Sequence, residues 1–174
     1  LEGKSSRDFP NSRRWLWENS HRFDALLELV IEATVRFLEL QSRAGVDALM
    51  LFDSWASAVP AYARDHVVSD PVAKIIDQLA HRGIRQPVIG FPKGIGEGLV
   101  RYCELSGVRA VGIDHGTDIR WAAQHLPEDV VLQGNLDPMT LIDAGKKMQD
   151  SIAEILDVCS ARPHIFNLGH GITP

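Results

Sequence analysis

The sequence predicts an α/β fold in which strands and helices alternate along the chain. Five short runs are predicted to be strands, and the first, residues 48–52, is continuously apolar and typical of a strand buried on both faces. Segments with helical periodicity or helix-boundary residues separate them. Strands connected through helices form parallel sheets with right-handed crossovers. Such strands fit either an open flavodoxin-like sheet or part of a (β/α)8 barrel, and periodicity alone does not distinguish the two.

The amino-terminal segment is predicted to be helical after a polar loop over residues 1–10. Asn11 or Ser12 can cap a short helix that contains Trp15 and Trp17. These two tryptophans are expected to pack in the core or between helices.

A long helix follows from about His21 to Ala44, and Gly45 ends it. Apolar residues at spacings of three and four form one stripe along it: Leu26, Leu29, Val30, Ala33, Phe37 and Leu40. The stripe is also expected to lie in the core or between helices.

The five predicted strands cover residues 48–52, 88–91, 110–113, 130–133 and 164–167. The predicted helical segments between them are 61–82, 95–105, 118–125 and 138–158. Asp70-Pro71 marks a start or break in the first of these, and Pro138 opens the last. Gly83 and Gly107 each follow the end of a helix.

Composition narrows the possible classes of protein. The net charge of −5 argues against a general nucleic-acid binder. Cys103 and Cys159 lie in predicted helices, outside any CxxC or His/Cys cluster, so neither a disulfide scaffold nor a zinc site is predicted. No run approaches the ~20 apolar residues of a membrane span. A reducing, cytoplasmic setting is therefore expected.

Polar residues follow the end of every predicted strand, where function gathers in both candidate architectures. Ser54 follows the first strand and can donate a hydrogen bond to a carboxylate, or it can cap a helix. His170 lies between two glycines after the last strand and can hydrogen-bond or pair with a carboxylate, or it can be a turn residue without a ligand.

Other residues at the strand ends have structural interpretations beside functional ones. Lys93, with Gly94, Gly96 and Gly98, suggests an anion site, although a tight turn suits the glycines better. Asp53 and Asp114 are either an acid/base pair or buried structural carboxylates. Structural roles are favoured for four further residues: Gln133, Asn135, the helix cap Asp137, and Asn167, which is expected to tie loops together.

Several motifs, in order along the chain, resemble those of the uroporphyrinogen decarboxylase family. The resemblance lies in LQGNLDP at 132–138, FNLGHGI at 166–172, MLFDSWAS at 50–57, FPKG at 91–94, GID at 112–114 and LEGKSSRDF at 1–9. It extends over essentially the whole chain. His115 departs from the pattern, since Trp or Thr often follows the aspartate that matches Asp114.

The resemblance implies that residues 1–174 are a single incomplete domain, containing about the last five βα units of a TIM barrel. It implies decarboxylation of the four acetate side chains of uroporphyrinogen III to give coproporphyrinogen III, without a cofactor or a metal. Ser54 and His170 would bind the substrate. The family's arginine-rich motif, essential aspartate and substrate-binding tyrosine would precede Leu1, so no catalytic residue is assigned here. A full-length homodimer is also implied.

The sequence leaves three alternatives open. One is a corrinoid or cobalamin-independent methyltransferase of the same superfamily, which would need metal ligands at the strand ends. The second is a non-enzymatic flavodoxin-like binding module, and the third an inactive fragment. A start at Leu1 and an end at Pro174, directly after a glycine-rich run, lead us to expect a piece of a longer barrel.

Overall fold

A computed structural model describes residues 2–3 and 6–172 of the chain. Five parallel strands form one sheet in the order β1-β2-β3-β4-β5. The strands are β1 (Leu49–Asp53), β2 (Val88–Pro92), β3 (Ala110–Ile113), β4 (Val131–Gly134) and β5 (His164–Ile165). The helices are α1 (Pro10–Glu18), α2 (Ser20–Arg43), α3 (Asp70–His81), α4 (Gly98–Ser106), α5 (Ile119–His125), α6 (Pro138–Asp143) and α7 (Lys146–Val158). The α/β prediction is confirmed.

Each strand pairs in parallel with the next strand along the chain, because a helical crossover returns the chain to the end of the sheet at which the preceding strand began. Leu51 is opposite Gly90, and Gly112 is opposite Gln133. Val111, Ile113 and Leu132 are fully buried. Burial on both faces is therefore a property of the central strands, whereas Phe52 of β1 and Ile165 of β5 are exposed, so the prediction that β1 is buried on both faces is wrong.

The first helix begins earlier than predicted and without a side-chain cap. Phe9, not Asn11 or Ser12, precedes it, with a left-handed φ of 47°, and Pro10 occupies the first turn. Proline suits that position because its missing N–H would be unpaired there anyway. Trp15 packs edge-on against Phe23 of α2 at 5.6 Å between ring centroids, as expected, but Trp17 is exposed.

The predicted apolar stripe of α2 does not face the core. Leu26, Leu29, Val30, Ala33, Phe37 and Leu40 are all exposed. The buried face, offset around the helix, consists of Ile31, Val35 and Leu38. Both faces are apolar, so periodicity alone did not show which one the sheet and α3 would cover.

Three predicted helical segments differ from the structure. The segment before Asp70 consists of short 3-10 turns and a π-helical turn at Asp65–Ser69, and the regular α-helix α3 starts only at Asp70. α4 starts at Gly98, three residues late, after a turn with positive φ at Gly94 and Gly96. The predicted helix 138–158 divides into α6 and α7 at Ala144, whose φ of 51° ends the first.

β5 is shorter than predicted, and Leu168 continues it only as an isolated bridge to Leu136. Its approach to the sheet is held by Arg162, whose guanidinium donates hydrogen bonds of 2.7 to 3.3 Å to four backbone carbonyls of the α5–β4 region: Ala123, Leu126, Pro127 and Val130. Among the described residues, no helix is long and apolar enough to cross a membrane.

Candidate functional site

The carboxyl ends of β1, β4 and β5 border a cavity of about 420 Å³. Its wall combines apolar side chains of the strands with polar groups of the strand-end loops. The lining residues are Met50, Phe52, Ser54, Phe91, Gly112, Gln133, Asn167, Leu168, His170, Gly171 and Ile172. Ser54 and His170, the two residues predicted from the sequence to bind substrate, therefore lie on the same cavity.

The imidazole of His170 is exposed at the mouth of this cavity. Nδ1 donates a hydrogen bond of 3.3 Å to the carbonyl of Gly171. The neutral ring therefore carries its proton on Nδ1, and Nε2 can accept a hydrogen bond from a ligand. When the ring is protonated, Nε2 becomes a donor and the ring carries a positive charge. A ligand carboxylate is a suitable partner for that form.

Ser54 directly follows β1, and its side chain is exposed to the cavity. The alternative interpretation as a helix cap is wrong. The 3-10 turn at Ala56–Ala58 is preceded by Trp55, and no side chain caps it. The hydroxyl makes no hydrogen bond among the described residues and can donate to a ligand.

Asp114 organises the loops beside the cavity but does not line it. Its carboxylate accepts hydrogen bonds from the backbone N–H groups of Gly94 (3.0 Å) and Gly116 (2.9 Å) and from the Thr117 hydroxyl (3.3 Å). Asn135 adds hydrogen bonds from Nδ2 to the carbonyls of Asp114 and Thr117. The structure thus favours the structural interpretation of Asp114 and Asn135.

Asp53 points away from Ser54, into a separate cavity of about 210 Å³ between α1 and the loop after β1. Burial raises the pKa of its carboxyl, partly offset by a backbone hydrogen bond from Trp55. The cavity that contains Ser54 and His170 is not lined by Asp53 or Asp114. An acid/base pair acting in that cavity is therefore not formed by these two residues.

The glycine-rich turn after β2 has a structural role. Gly94 and Gly96 have φ values of 74° and 54°, which only glycine adopts without strain. The Lys93 N–H donates to the Asp53 carbonyl at 3.1 Å, and its own carbonyl accepts from Ser57 at 3.2 Å. Lys93 does not line the cavity, so the interpretation as a tight turn is supported and the anion site is not.

The polar residues in β4 and in the loops after β4 and β5 have different roles. Asp137 caps α6 by accepting from the Met139 N–H at 2.9 Å, as predicted. Within the part of the chain that the structure describes, the Asn167 side chain accepts only from the adjacent Leu168 N–H, so the backbone rather than the amide links Asn167 to Leu136. Gln133 and Asn167 both line the cavity, which the sequence did not predict. The one signal that could have indicated Gln133 was the alternation of side chains between the two faces of the sheet along the predicted strand.

Both cysteines lie away from the cavity. Cys103 is buried in α4, and burial raises the pKa of its thiol to about 12. Cys159 follows the last residue of α7 instead of lying within a helix, and burial also raises its pKa. Within residues 2–3 and 6–172, no group of three or more His, Cys, Asp or Glu side chains is arranged to hold a metal.

The fold places the chain among α/β proteins with a parallel sheet and a site at the strand ends. A methyltransferase from Methanosarcina mazei has a similar structure, with a TM-score of 0.74 over 94% of this chain and 48% of that one. At 13% sequence identity, the similarity concerns the fold alone.

Sequence comparison defines the family. The profile of the uroporphyrinogen decarboxylase (URO-D) family matches residues 1–174. The chain is 40% identical to uroporphyrinogen decarboxylase of Maricaulis maris over 174 residues, and 41% identical to that of Rhizorhabdus wittichii over 172 residues. These two matches include 100% and 99% of this chain, but only 50% of the length of each relative. The chain belongs to the uroporphyrinogen decarboxylase family and spans about half the length of these relatives.

Proposed function

We propose that the protein decarboxylates the four acetate side chains of uroporphyrinogen III to methyl groups, giving coproporphyrinogen III. The observation that carries the proposal is the position of Ser54 and His170 on one cavity, in a chain about 40% identical to uroporphyrinogen decarboxylases. Residues far apart in the sequence thus bring a hydroxyl and an imidazole to the same cavity. Both groups suit the carboxylates of this substrate.

We further propose that the five strands are the last five of a (β/α)8 barrel, and that residues 1–174 form one incomplete domain. Exposed apolar surface supports this arrangement: the stripe on α2 and the inner-face residues Phe52 and Ile165 all lie open to solvent. Three further βα units between β5 and β1 would cover this surface and pair both sheet edges. The doubled length of the relatives leaves room for such units.

The reaction requires an acid and an electron sink. Protonation of the α-carbon of the pyrrole, next to the ring carbon that bears the acetate, makes the ring cationic. The bond between the acetate methylene and its carboxylate then breaks, and its electron pair neutralises the ring as carbon dioxide leaves. A second proton added to the methylene carbon and loss of the first proton from the ring give the methyl group. The role proposed for Ser54 and His170 is to hold carboxylates, while the acidic and arginine groups lie in the part of the family barrel that precedes Leu1.

The net charge of the chain supports a role for Ser54 and His170 in holding carboxylates. The substrate carries eight carboxylates, whereas the chain has a net charge of −5. Binding therefore depends on local donors, and a charge-assisted hydrogen bond contributes roughly 1.5–3 kcal/mol. No cofactor enters the proposed reaction. A homodimer and a cytoplasmic location belong to the same proposal and rest on the family resemblance.

The methyltransferase alternative receives less support from the site. Thiolate-based methyl transfer needs a reactive cysteine or a cluster of ligands close to the cavity. Cys103 is buried outside the cavity with a pKa of about 12, so its thiolate form is scarce at neutral pH. The shared fold does not distinguish the two reactions.

The test is an assay of the complete product of the gene that carries this sequence, supplied with uroporphyrinogen III under anaerobic conditions. We expect coproporphyrinogen III to form, and no activity from residues 1–174 alone. An inactive, correctly folded gene product that retains one equivalent of zinc would replace the decarboxylase proposal with the methyltransferase one. Activity from residues 1–174 alone would overturn the assignment of the proton-transfer groups to the preceding part of the barrel.

A further inference from the structure

The pairing of β2 with β3 is short and ends below the strand-end loops. It joins Ile89 to Ala110 and Gly90 to Val111. In contrast, β1 and β2 are paired up to their last residues, and so are β3 and β4. The cavity extends across this boundary, because its wall includes side chains of β1 and β2 as well as side chains of β4 and of the loop after β5. The site is therefore built from two halves, β1–β2 and β3–β5.

Each half carries one of the two groups proposed to hold carboxylates. Ser54 follows β1, and its loop donates a backbone hydrogen bond of 3.2 Å to the carbonyl of Lys93, which follows β2. His170 follows β5, and its loop is tied to the loop after β4 by a bond of 2.8 Å from the Gly169 N–H to the Leu136 carbonyl. These bonds hold each group within its own half of the site.

The carboxylate of Asp114 joins the two halves. Asp114 follows β3 and is only 7% exposed. One oxygen accepts from the N–H of Gly94, after β2, at 3.0 Å, and the other accepts from Gly116 in its own loop at 2.9 Å. Asn135, after β4, donates to the carbonyls of Asp114 (3.3 Å) and Thr117 (2.7 Å). Among the described residues, the bond from Gly94 is the one hydrogen bond between the loop after β2 and the loop after β3.

We infer that Asp114 is a positioning residue that fixes the separation between the Ser54 hydroxyl and the His170 imidazole, so that both contact one substrate molecule. This inference rests on the proposed function and adds a residue that acts on binding without lining the cavity. A charged acceptor makes a stronger hydrogen bond to a backbone N–H than a neutral one does. Two contacts to one ligand reinforce each other only when their separation matches the ligand. Loss of the link should therefore weaken the cooperation between Ser54 and His170.

The experiment removes the link in the complete gene product with Asp114→Asn, which replaces one acceptor oxygen by an NH2 donor. We expect KM for uroporphyrinogen III to rise about tenfold and kcat to stay within about twofold, because binding weakens while the proton-transfer groups are unchanged. In the unchanged protein, His170→Asn should lower kcat/KM at least about tenfold. In the Asp114→Asn variant the same substitution should lower it less than about threefold, since coupled residues are not additive.

Thr117→Val is the matched control. It removes a hydrogen bond of 3.3 Å to the same carboxylate but leaves the bond between the two loops in place. Its kcat/KM should stay within about twofold of the unchanged protein, and His170→Asn should keep its full effect in this variant. Asn135→Ala is measured in parallel, because it interrupts the next link, from the loop after β3 to the loop after β4. It should reduce the effect of His170→Asn as Asp114→Asn does.

Circular dichroism shows which variants are folded, and the folded ones decide the outcome. A full effect of His170→Asn in either Asp114→Asn or Asn135→Ala would overturn the inference, and so would an unchanged KM. A role in stability alone would lower the melting temperature and the amount of active enzyme but would leave KM unchanged. These results leave the decarboxylase proposal standing, because that proposal fails only if the unchanged gene product forms no coproporphyrinogen III.

Discussion

Gly169 approaches the backbone of His115 so closely that a β-carbon on Gly169 would lie 2.3 Å from the His115 nitrogen. The loop after β5 therefore packs directly on the loop after β3. The Gly169 N–H also donates to the Leu136 carbonyl at 2.8 Å. Together these contacts place His170 at the mouth of the cavity. Glycine is required here for the close packing of the two loops.

Replacing Gly169 with Ala should force the two loops apart, because the blocking atoms belong to backbone. We expect the free energy of unfolding to fall by about 1–3 kcal/mol, the usual cost of overpacking. Urea denaturation of the complete gene product measures it. Gly171→Ala is the matched comparison, since a β-carbon there meets nothing within 4 Å. Its stability should change by less than about 0.5 kcal/mol. Equal effects of the two substitutions would refute the packing explanation.

Replacing His170 with Asn should weaken substrate binding without stopping the reaction. Asparagine keeps a donor but cannot carry a positive charge. We expect kcat/KM to fall about ten- to a hundredfold, since ~1.4 kcal/mol corresponds to a factor of ten. Partly decarboxylated intermediates should accumulate if the four acetates depend on this contact to different extents. Steady-state kinetics with chromatography of the products measures both. Complete loss of turnover in a folded variant would instead place His170 in the chemical step.

Replacing Ser54 with Ala removes the hydroxyl that faces the cavity. We expect a fall in kcat/KM of roughly tenfold or more, because a hydrogen bond to a charged group contributes about 1.5–3 kcal/mol. Ser57→Ala is the control, since Ser57 is exposed on the same segment but does not line the cavity. Identical kinetics for Ser54→Ala and the unchanged protein would remove Ser54 from the proposed substrate contacts.

Asp53 should make stability depend on pH. Burial raises its pKa in the folded state, so folding favours the protonated carboxyl. Its contribution to stability is full below the unfolded-state pKa and is lost as the pH rises through the folded-state pKa. Asp53→Asn, which stays neutral, should therefore raise the melting temperature at pH 7.5 more than at pH 4. Thermal unfolding of the complete gene product at both values checks this, and a larger gain at pH 4 would contradict the burial explanation.

Local signals in the sequence account for much of the fold. All five strands were predicted close to their positions, and the Asp137 cap and the ends of α2 and α4 at Gly45 and Gly107 were predicted from single residues. These features depend on hydrogen bonds and backbone angles within a few positions, so the sequence contains all the information that sets them. The motifs around Ser54 and His170 indicated the family in the same way.

Tertiary structure alone decided which groups face each other. α2 carries two apolar faces, and the sheet and α3 bury only the one formed by Ile31, Val35 and Leu38. Asp53 and Ser54 are adjacent in sequence, yet they line different cavities because successive side chains of an extended segment point to opposite sides. Gln133 lines the cavity because β4 lies between β3 and β5. These contacts involve residues that are distant along the chain. Sequence periodicity indicates which side chains share a face of a helix or strand, but not which other element packs against that face.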